Sequence, residues 1–213
     1  MAHNFGSLVF TPAVKALQEK YGSRRSYARL EKGAAGPDRL GPHETDFIAE
    51  RDSFYIASIG ETGWPYVQHR GGPRGFLKVI DERTLAFADF SGNRQYVSAG
   101  NLTVDDRVAL IMVDYPSQTR LKILGRAETL SDEKAKDWIG RTRVPGYDAA
   151  IERVFVIRVE AFDWNCQQHI TPRFTEDQIR EALTPLETRM QGLAEENEKL
   201  RKELARRGGA AKP

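Results

Sequence analysis

The chain has 213 residues, of which 40% are hydrophobic, and this apolar content is enough for one globular domain with an appendage. Its formal net charge is only +2, so the composition gives no support to binding of nucleic acid or of a membrane surface through a global positive field. No apolar run approaches the roughly 20 residues that span a bilayer, and residues 1–4 lack the basic and apolar blocks of a signal peptide, which predicts a cytoplasmic protein.

The N-terminal segment, residues 1–42, is predicted to hold one helix and an arm. Thr11 and Pro12 form a helix start, because threonine is a good N-cap and proline is tolerated at the first helical position. Gly22 is typical of a helix end. Residues 22–41 are polar and rich in Gly, Arg and Pro, which indicates a loop or an ordered arm.

Residues 43–174 are predicted to form the main domain. Helices are predicted over residues 43–50, 94–101 and 131–141. Short runs rich in Val, Ile and Phe predict strands over residues 53–59, 64–69, 75–80, 84–89, 107–114, 120–129 and 153–162. The helices lie between strands without a βαβ rhythm, which favours a mainly β (α+β) fold: a six- to seven-stranded antiparallel barrel with peripheral helices.

The C-terminal segment, residues 175–207, is predicted to form helices that begin at two capping boxes, at Thr175 with Gln178 and at Thr184 with Glu187. Its apolar residues alternate at spacings of four and three, as in a coiled coil. The a positions are Leu183, Met190, Asn197 and Leu204, and the d positions are Ile179, Leu186, Leu193 and Leu200. The pattern predicts a parallel coiled coil between two copies of the chain; the alternative is an amphipathic helix lying on its own barrel. Residues 208–213 are predicted to be a disordered tail.

Two segments combine basic and small residues in a way that suits a phosphate site. The segment from His69 to Val79 supplies three cations, Arg70, Arg74 and Lys78, with glycines that let a ligand approach the backbone. The segment from Ala88 to Tyr96 leaves a strand and enters a predicted helix, and its candidate phosphate-binding residues are Ser91, Asn93 and Arg94. The alternatives are a solvated basic strand face and an N-cap with an exposed arginine.

Two further segments hold candidate ligand-binding groups. Alternation places Arg120 on one face of its predicted strand, where it is either a binding residue or a surface charge. Residues 163–174 are dense in amide, aromatic and imidazole groups, and the candidates there are Trp164, Asn165 and Gln168. Cys166, the one cysteine, excludes an internal disulfide and favours a reducing compartment. Together with His169 it supplies two possible metal ligands, too few for a structural zinc site.

In order and spacing these segments resemble the pyridoxamine 5'-phosphate oxidase-like FMN-binding proteins, roughly over residues 43–165. The strongest stretch runs from Leu85 to Leu130 and reads LAFADFSGNRQYVSAGNLTVDDRVALIMVDYPSQTRLKILGRAETL. The family pattern is a strand ending in a phosphate-binding turn, a Ser-Arg-Lys-like helix start, a hydrophobic strand, a Pro-containing turn and a strand ending in Gly-Lys/Arg-Ala-Glu. Here residues 93–95 take the place of the helix start, and residues 125–128 close the pattern.

The resemblance implies a split barrel that binds FMN as a homodimer, formed through the barrel and the coiled coil, and that acts as an oxidoreductase on a small molecule. It implies that Lys78, either Arg70 or Arg74, and residues 91–95 including Gln95 hold the phosphate. Arg120 and residues 164–168 then reach the flavin ring. The alternatives are a non-catalytic flavin-binding or sensing module and a split barrel that binds haem or the deazaflavin F420.

The chain also departs from the family pattern. The Tyr-Thr pair at the phosphate site is replaced by Ala88 and Asp89, and the lysine at the helix start by Gln95. Because a carboxylate beside a phosphate is unfavourable, Asp89 is expected to face elsewhere or to accept from backbone donors. The Arg-x-His element of the true oxidase is missing from this sequence, which argues against oxidation of pyridoxamine phosphate. The departures favour a branch of flavin-nucleotide-binding proteins with the NC-x-QHI signature.

Overall fold

A computed structural model of the chain describes residues 4–31, 36–164 and 168–209, and the chain divides after Ile170 into two compact units. The helices of the first unit are α1 (Phe5–Val9), α2 (Pro12–Lys20), α3 (Arg24–Tyr27), α4 (Pro42–Ala49), α5 (Val97–Asn101) and α6 (Asp132–Thr142). Its strands are β1 (Ser53–Ile59), β2 (Pro65–Gly71), β3 (Lys78–Asp81), β4 (Thr84–Phe90), β5 (Arg107–Asp114), β6 (Thr119–Leu130) and β7 (Ile151–Trp164). The second unit contains α7 (Glu176–Gly209). Within the described ranges, no helix combines the length and the apolar character needed to cross a membrane.

The strands form one seven-stranded sheet in the order β2-β1-β5-β6-β7-β4-β3, with antiparallel pairing throughout. The sheet curls so that strands near its two edges meet: the Arg70 guanidinium of β2 donates to the Asp89 carboxylate of β4, although four strands separate them in the sheet order. Between β2 and β4 the barrel is closed by side-chain contacts and not by backbone hydrogen bonds. The predicted antiparallel split barrel with peripheral helices is therefore confirmed.

The barrel interior is filled by the inward-facing residues of five strands. Along β6 buried residues alternate with half-buried or exposed ones from Arg120 to Glu128, as expected for a strand with one face on a core. The centre is aromatic: Phe87 stacks on Phe155 with ring centroids 4.9 Å apart, and Phe54 meets the edge of this pair at 5.2 Å. A smaller cluster on the outer face, around Ala86 and Val156, lies under α6.

Several predicted elements differ at their boundaries. The helix predicted over residues 94–101 begins only at Val97, because Arg94 and Tyr96 have positive φ angles of 59° and 54°, which no α-helix accommodates. The arm predicted over residues 22–41 contains α3 and a 3₁₀ turn over Ala28–Glu31. The helix start at Thr11 is confirmed, since its side chain accepts a hydrogen bond from the Val14 backbone N–H.

The second unit is one continuous helix where two were predicted. The first capping box is present: the Thr175 N–H donates to Gln178 Oε1, and the Gln178 N–H donates to Thr175 Oγ1. At the second, the Thr184 hydroxyl instead donates to the Arg180 carbonyl, 2.9 Å away, and the helix continues through Pro185. It extends to Gly209 and so includes the first two residues of the tail predicted over 208–213; residues 210–213 lie outside the described residues.

Gly125 marks a tight contact inside the barrel. The pairing of β6 with β7 shifts register between Leu124 and Gly125, and a Cβ at Gly125 would lie 2.6 Å from the Arg158 carbonyl oxygen. Since that neighbour is backbone, Gly125→Ala is expected to lower the free energy of unfolding by about 1–3 kcal/mol, measured by urea denaturation. The matched control is Gly140→Ala in α6, where nothing lies within 4 Å and alanine should stabilise the helix by about 0.5–1 kcal/mol. Equal effects of the two substitutions would contradict this account.

Candidate functional site

A polar cleft of about 260 Å³ opens where β2, the end of β4 and the start of α5 meet. Its walls carry aromatic, amide, guanidinium and carboxylate groups. The lining residues are Tyr66, Gln68, Arg70, Asp89, Phe90, Gly92, Asn93, Arg94, Gln95, Tyr96, Val97, Ser98, Ala99 and Glu152. Among the described residues, no group of three or more His, Cys, Asp and Glu side chains is placed to hold a metal ion.

One wall of the cleft is the inner face of the edge strand β2. Alternation along this strand turns Tyr66, Gln68 and Arg70 inward and their neighbours toward solvent. Gln68 is fixed by the buried Ser98 of α5, whose hydroxyl donates to Gln68 Oε1 at 2.6 Å. A polar inner face on a barrel strand leaves hydrogen-bonding groups where a core would otherwise be apolar, which is typical of a ligand site.

Asp89 lies at the floor of the cleft with its side chain 11% exposed, contrary to the expectation that it faces elsewhere. It accepts from the Arg70 guanidinium, and Arg153 Nε lies 3.3 Å from its other oxygen. Burial raises the pKa of Asp89, and the two neighbouring arginines oppose that rise. Arg70 and Arg153 thus offset the negative charge of Asp89, which by itself is unfavourable beside a phosphate. Arg70 itself lies over the rings of Phe155 and Phe87, at 4.9 and 5.6 Å from their centroids.

The opposite wall is the loop between β4 and α5. Ser91 Oγ donates to Glu152 Oε1 at 2.9 Å, and Arg94 Nε lies 3.5 Å from the same carboxylate. The Ser91 hydroxyl and Arg153 lower the pKa of Glu152. Arg94 and Tyr96 adopt left-handed backbone conformations, which cost about 1–3 kcal/mol each for residues other than glycine and which cluster at functional sites.

The charges of the cleft favour an anionic ligand. Three arginines, at positions 70, 94 and 153, face the two carboxylates of Asp89 and Glu152, so the group carries one positive charge in excess. Arg94 is 70% exposed, so its donors remain accessible. The buried Arg70 Nε has no hydrogen-bond partner within the described ranges. Guanidinium groups bind phosphate through paired donors, so the residues present fit a phosphate group.

The structure brings together five of the predicted phosphate-binding residues. Arg70, Asn93, Arg94 and Gln95 line the cleft, and Ser91 contacts the lining residue Glu152. The Asn93 side-chain oxygen accepts from the Gln95 backbone N–H at 3.3 Å, which leaves the Asn93 amide N–H groups as donors.

Arg74 and Lys78 lie elsewhere. Arg74 is exposed and pairs with Glu50 at 2.9 Å, outside the cleft. Lys78 pairs in the sheet with Ala86, and paired residues share a face. That is the outer face under α6, since Ala86 belongs to the outer cluster and Asp89, three residues later, turns to the inner side. Of the two candidate arginines, the geometry favours Arg70.

The described residues that were predicted to reach the flavin ring also lie outside the cleft. Arg120 sits at the start of β6 on the outer face, and its Nε is buried without a hydrogen-bond partner in the described part of the chain. The Trp164 indole donates to Glu44 Oε1 at 2.8 Å and packs on Phe47, so it joins β7 to α4. Gln168 is an exposed turn residue, and Asn165 lies outside the described residues.

Sequence reasoning missed Tyr66, Gln68, Ser98, Glu152 and Arg153. Two signals were available: Tyr66, Gln68 and Arg70 alternate as i, i+2 and i+4, and Glu152 and Arg153 adjoin directly before the apolar run of residues 154–157. Neither signal says which strands meet. The contact between β2 and β4 depends on the curl of the whole sheet, which short-range pattern does not reveal.

A second surface on the same unit is apolar. The outer face of β1, β2, β5 and β6 carries Tyr55, Val67, Ile111 and Leu124, of which Tyr55 and Val67 are exposed. Lys122 borders this face and pairs with Asp163 at 3.1 Å. The pairing of two barrels stays a prediction.

The fold and the cleft agree with the family match. The family model for pyridoxamine 5'-phosphate oxidase matches residues 40–165, which is more than half of the chain and includes all seven strands of the sheet. The chain belongs to the pyridoxamine 5'-phosphate oxidase family. Every residue that lines the cleft falls inside the matched range of this family.

Solved structures of this family and of related proteins resemble the chain at low identity. HupZ from Group A Streptococcus is 16% identical, covering 63% of this chain and 99% of that chain with a TM-score of 0.46. A general stress protein 26-related protein of the pyridoxinephosphate oxidase family from Clostridium acetobutylicum is 14% identical, covering 64% and 94% with a TM-score of 0.44. An FMN-binding protein from Syntrophomonas wolfei is 12% identical, covering 72% and 97% with a TM-score of 0.43. No curated protein matches the chain.

Proposed function

We propose that this member of the pyridoxamine 5'-phosphate oxidase family is an FMN-binding flavoprotein that acts as an oxidoreductase on a small molecule. The observation that carries the proposal is the cluster of arginines around a polar cleft at the gap of the split barrel. The cluster suits a phosphorylated ligand, and the family supplies the class of cofactor.

The phosphate of FMN is proposed to bind between Arg94 and Arg70, with the Asn93 amide as a further donor. The Ser91 hydroxyl donates to Glu152 and so holds this carboxylate beside the site. Asp89 holds the Arg70 guanidinium at the floor of the cleft, so this cation needs no rearrangement when the phosphate arrives. The cleft volume of about 260 Å³ lies just below the range of roughly 300–1,000 Å³ that holds drug-sized ligands. It therefore suits the phosphate and the chain attached to it, with the flavin ring at the mouth.

Bound FMN supplies the transfer of a hydride or of electrons, and the protein supplies binding and orientation. The two carboxylates of the cleft fit this division of work. Asp89 is engaged by Arg70 and Arg153, and Glu152 by Ser91 and Arg153, so both position cations. Their partners leave neither group placed as a general base.

The test is the identity of the bound chromophore. The purified protein, or the protein mixed with added FMN, is expected to show the absorption bands of oxidised flavin, and mass spectrometry of the released ligand is expected to give FMN. Absorption bands of haem or of F420 would instead identify that group as the bound cofactor. A colourless protein that takes up no FMN would overturn the proposal.

The oxidoreductase part has its own test. Loaded protein mixed with NADH or NADPH and an electron acceptor is expected to turn over repeatedly. Binding of FMN without turnover, across a panel of small-molecule donors and acceptors, would instead support a flavin-binding or sensing module.

A further inference from the structure

The long helix α7 carries an apolar stripe that faces solvent. Seven of the eight a and d positions are apolar, and these side chains are 44–69% exposed. They are Ile179, Leu183, Leu186, Met190, Leu193, Leu200 and Leu204. The stripe is narrow, and its flanks are mostly charged, which is the pattern of a coiled-coil seam rather than of the wider face that packs on a globular core.

The composition of α7 also indicates that the helix needs a partner. Pro185 inside the helix removes one backbone hydrogen bond, at a cost of about 3 kcal/mol, and Gly192 costs about 1 kcal/mol relative to alanine. Both occupy the heptad position two residues after an a position, away from the seam. Pro185 and Gly192 thus lower the stability of the isolated helix but lie outside its apolar stripe.

We propose that the occupant of this stripe is α7 of a second copy of the chain, in a parallel two-stranded coiled coil. This inference goes beyond the proposed function and does not depend on it. It rests on two features of the stripe: a polar residue at one a position and a pair of unmatched charges beside it.

The polar residue is Asn197. Its side-chain Nδ2 lies 3.4 Å from the Leu193 carbonyl of its own helix, which leaves the amide oxygen and a second N–H for another partner. In a parallel pair Asn197 faces Asn197 of the second copy, so the two amides bond each other. In the antiparallel register that matches the apolar positions, Asn197 faces Leu186, and both amides are buried against leucine without a partner.

The charges also favour the parallel arrangement. Some charged side chains pair within α7, for example Lys202 with Glu198. By contrast, Glu196 at a g position and Arg201 at the following e position form no ion pair within the described part of the chain. A parallel partner brings each Glu196 beside the partner's e position, which carries arginine. The antiparallel register brings Arg189 beside Glu196 of the second copy, but it also sets Arg180 beside the like charge at e position 201, so its charge pairing is the poorer of the two.

The test is disulfide cross-linking in the full-length chain, with Cys166→Ser as background. Leu183→Cys places a thiol at an a position, where the two copies of a parallel pair meet within the distance that a disulfide spans. The matched control is Thr188→Cys, at an outward position of the same helix. Mild oxidation is expected to give a covalent dimer with the first variant, at least several-fold more than with the second.

Orientation is tested in the same background. In the antiparallel register Leu183 faces Leu200 of the second copy, and its own counterpart lies about 25 Å away along the axis. A mixture of Leu183→Cys and Leu200→Cys chains is therefore expected to give two homodimers and little mixed species. Leu204→Cys, another a position, serves as the second variant if Leu183→Cys fails to fold. Predominantly mixed dimers, or no excess of dimer over the Thr188→Cys control, would overturn the proposal.

Discussion

Phe87→Ala is expected to lower the free energy of unfolding by about 3–5 kcal/mol, the range for deleting a buried aromatic side chain. Phe87 is fully buried and joins the core to the cleft. Its ring stacks on Phe155, meets the edge of Phe54 and supports the Arg70 guanidinium. Removal of the ring leaves a cavity at the centre of the barrel, which the rigid strands around it fill only in part.

The measurement is urea denaturation followed by tryptophan fluorescence and circular dichroism. Phe174→Ala is the control, because Phe174 is 59% exposed and its loss creates no cavity. The control is expected to change the unfolding free energy by less than about 0.5 kcal/mol, as surface substitutions usually do. A loss below 1 kcal/mol at Phe87 would show that the aromatic cluster does not organise this core.

Arg94→Gln is expected to weaken FMN binding by about 10- to 100-fold. Hydrogen bonds to charged groups contribute about 1.5–3 kcal/mol, and each 1.4 kcal/mol changes affinity tenfold. Arg94 is exposed and its nearest carboxylate, that of Glu152, is 3.5 Å away, so its loss is expected to leave the fold intact. Titration of the apoprotein with FMN, followed by flavin fluorescence, gives the dissociation constant.

Arg74→Gln is the matched control for this prediction. Arg74 is also an exposed arginine, 66% against 70% for Arg94, and it also pairs with one carboxylate. It lies outside the cleft, so its removal is expected to change FMN affinity less than about twofold. Lys78→Gln is expected to behave like Arg74→Gln, since Lys78 lies on the outer face of the sheet. If Arg74 or Lys78 mattered more than Arg94, the phosphate site would lie elsewhere.

Local pattern predicted the strands because most of them have at least one face on a core. β1 and β5 lie where they were predicted, and β6 and β7 extend the predicted runs by one or two residues at each end. Arg120 lies on one face of β6 together with Lys122 and Leu124, as strand alternation predicts. These features depend on burial of every second residue, which the sequence displays directly.

The site was predicted less well because it depends on contacts between distant segments. The basic residues of positions 70–78 were predicted to act together, yet β2 turns Arg70 into the cleft while the pairing of β3 with β4 turns Lys78 outward. Sequence reasoning assigned Asp89 no cationic partner, whereas in the structure the curl of the sheet places Arg70 and Arg153 against its carboxylate. The left-handed backbone at Arg94 is rare for arginine, so the predicted helix started at this residue instead of at Val97.

The central claim is that the cleft recognises the phosphate of a flavin nucleotide, and the ratio of FMN to riboflavin affinity tests it most directly. Riboflavin has the same ring and lacks the phosphate. With the wild-type chain at physiological salt, FMN is expected to bind at least about tenfold more tightly than riboflavin, the equivalent of one charge-assisted hydrogen bond. Equal affinities for the two flavins would contradict the account.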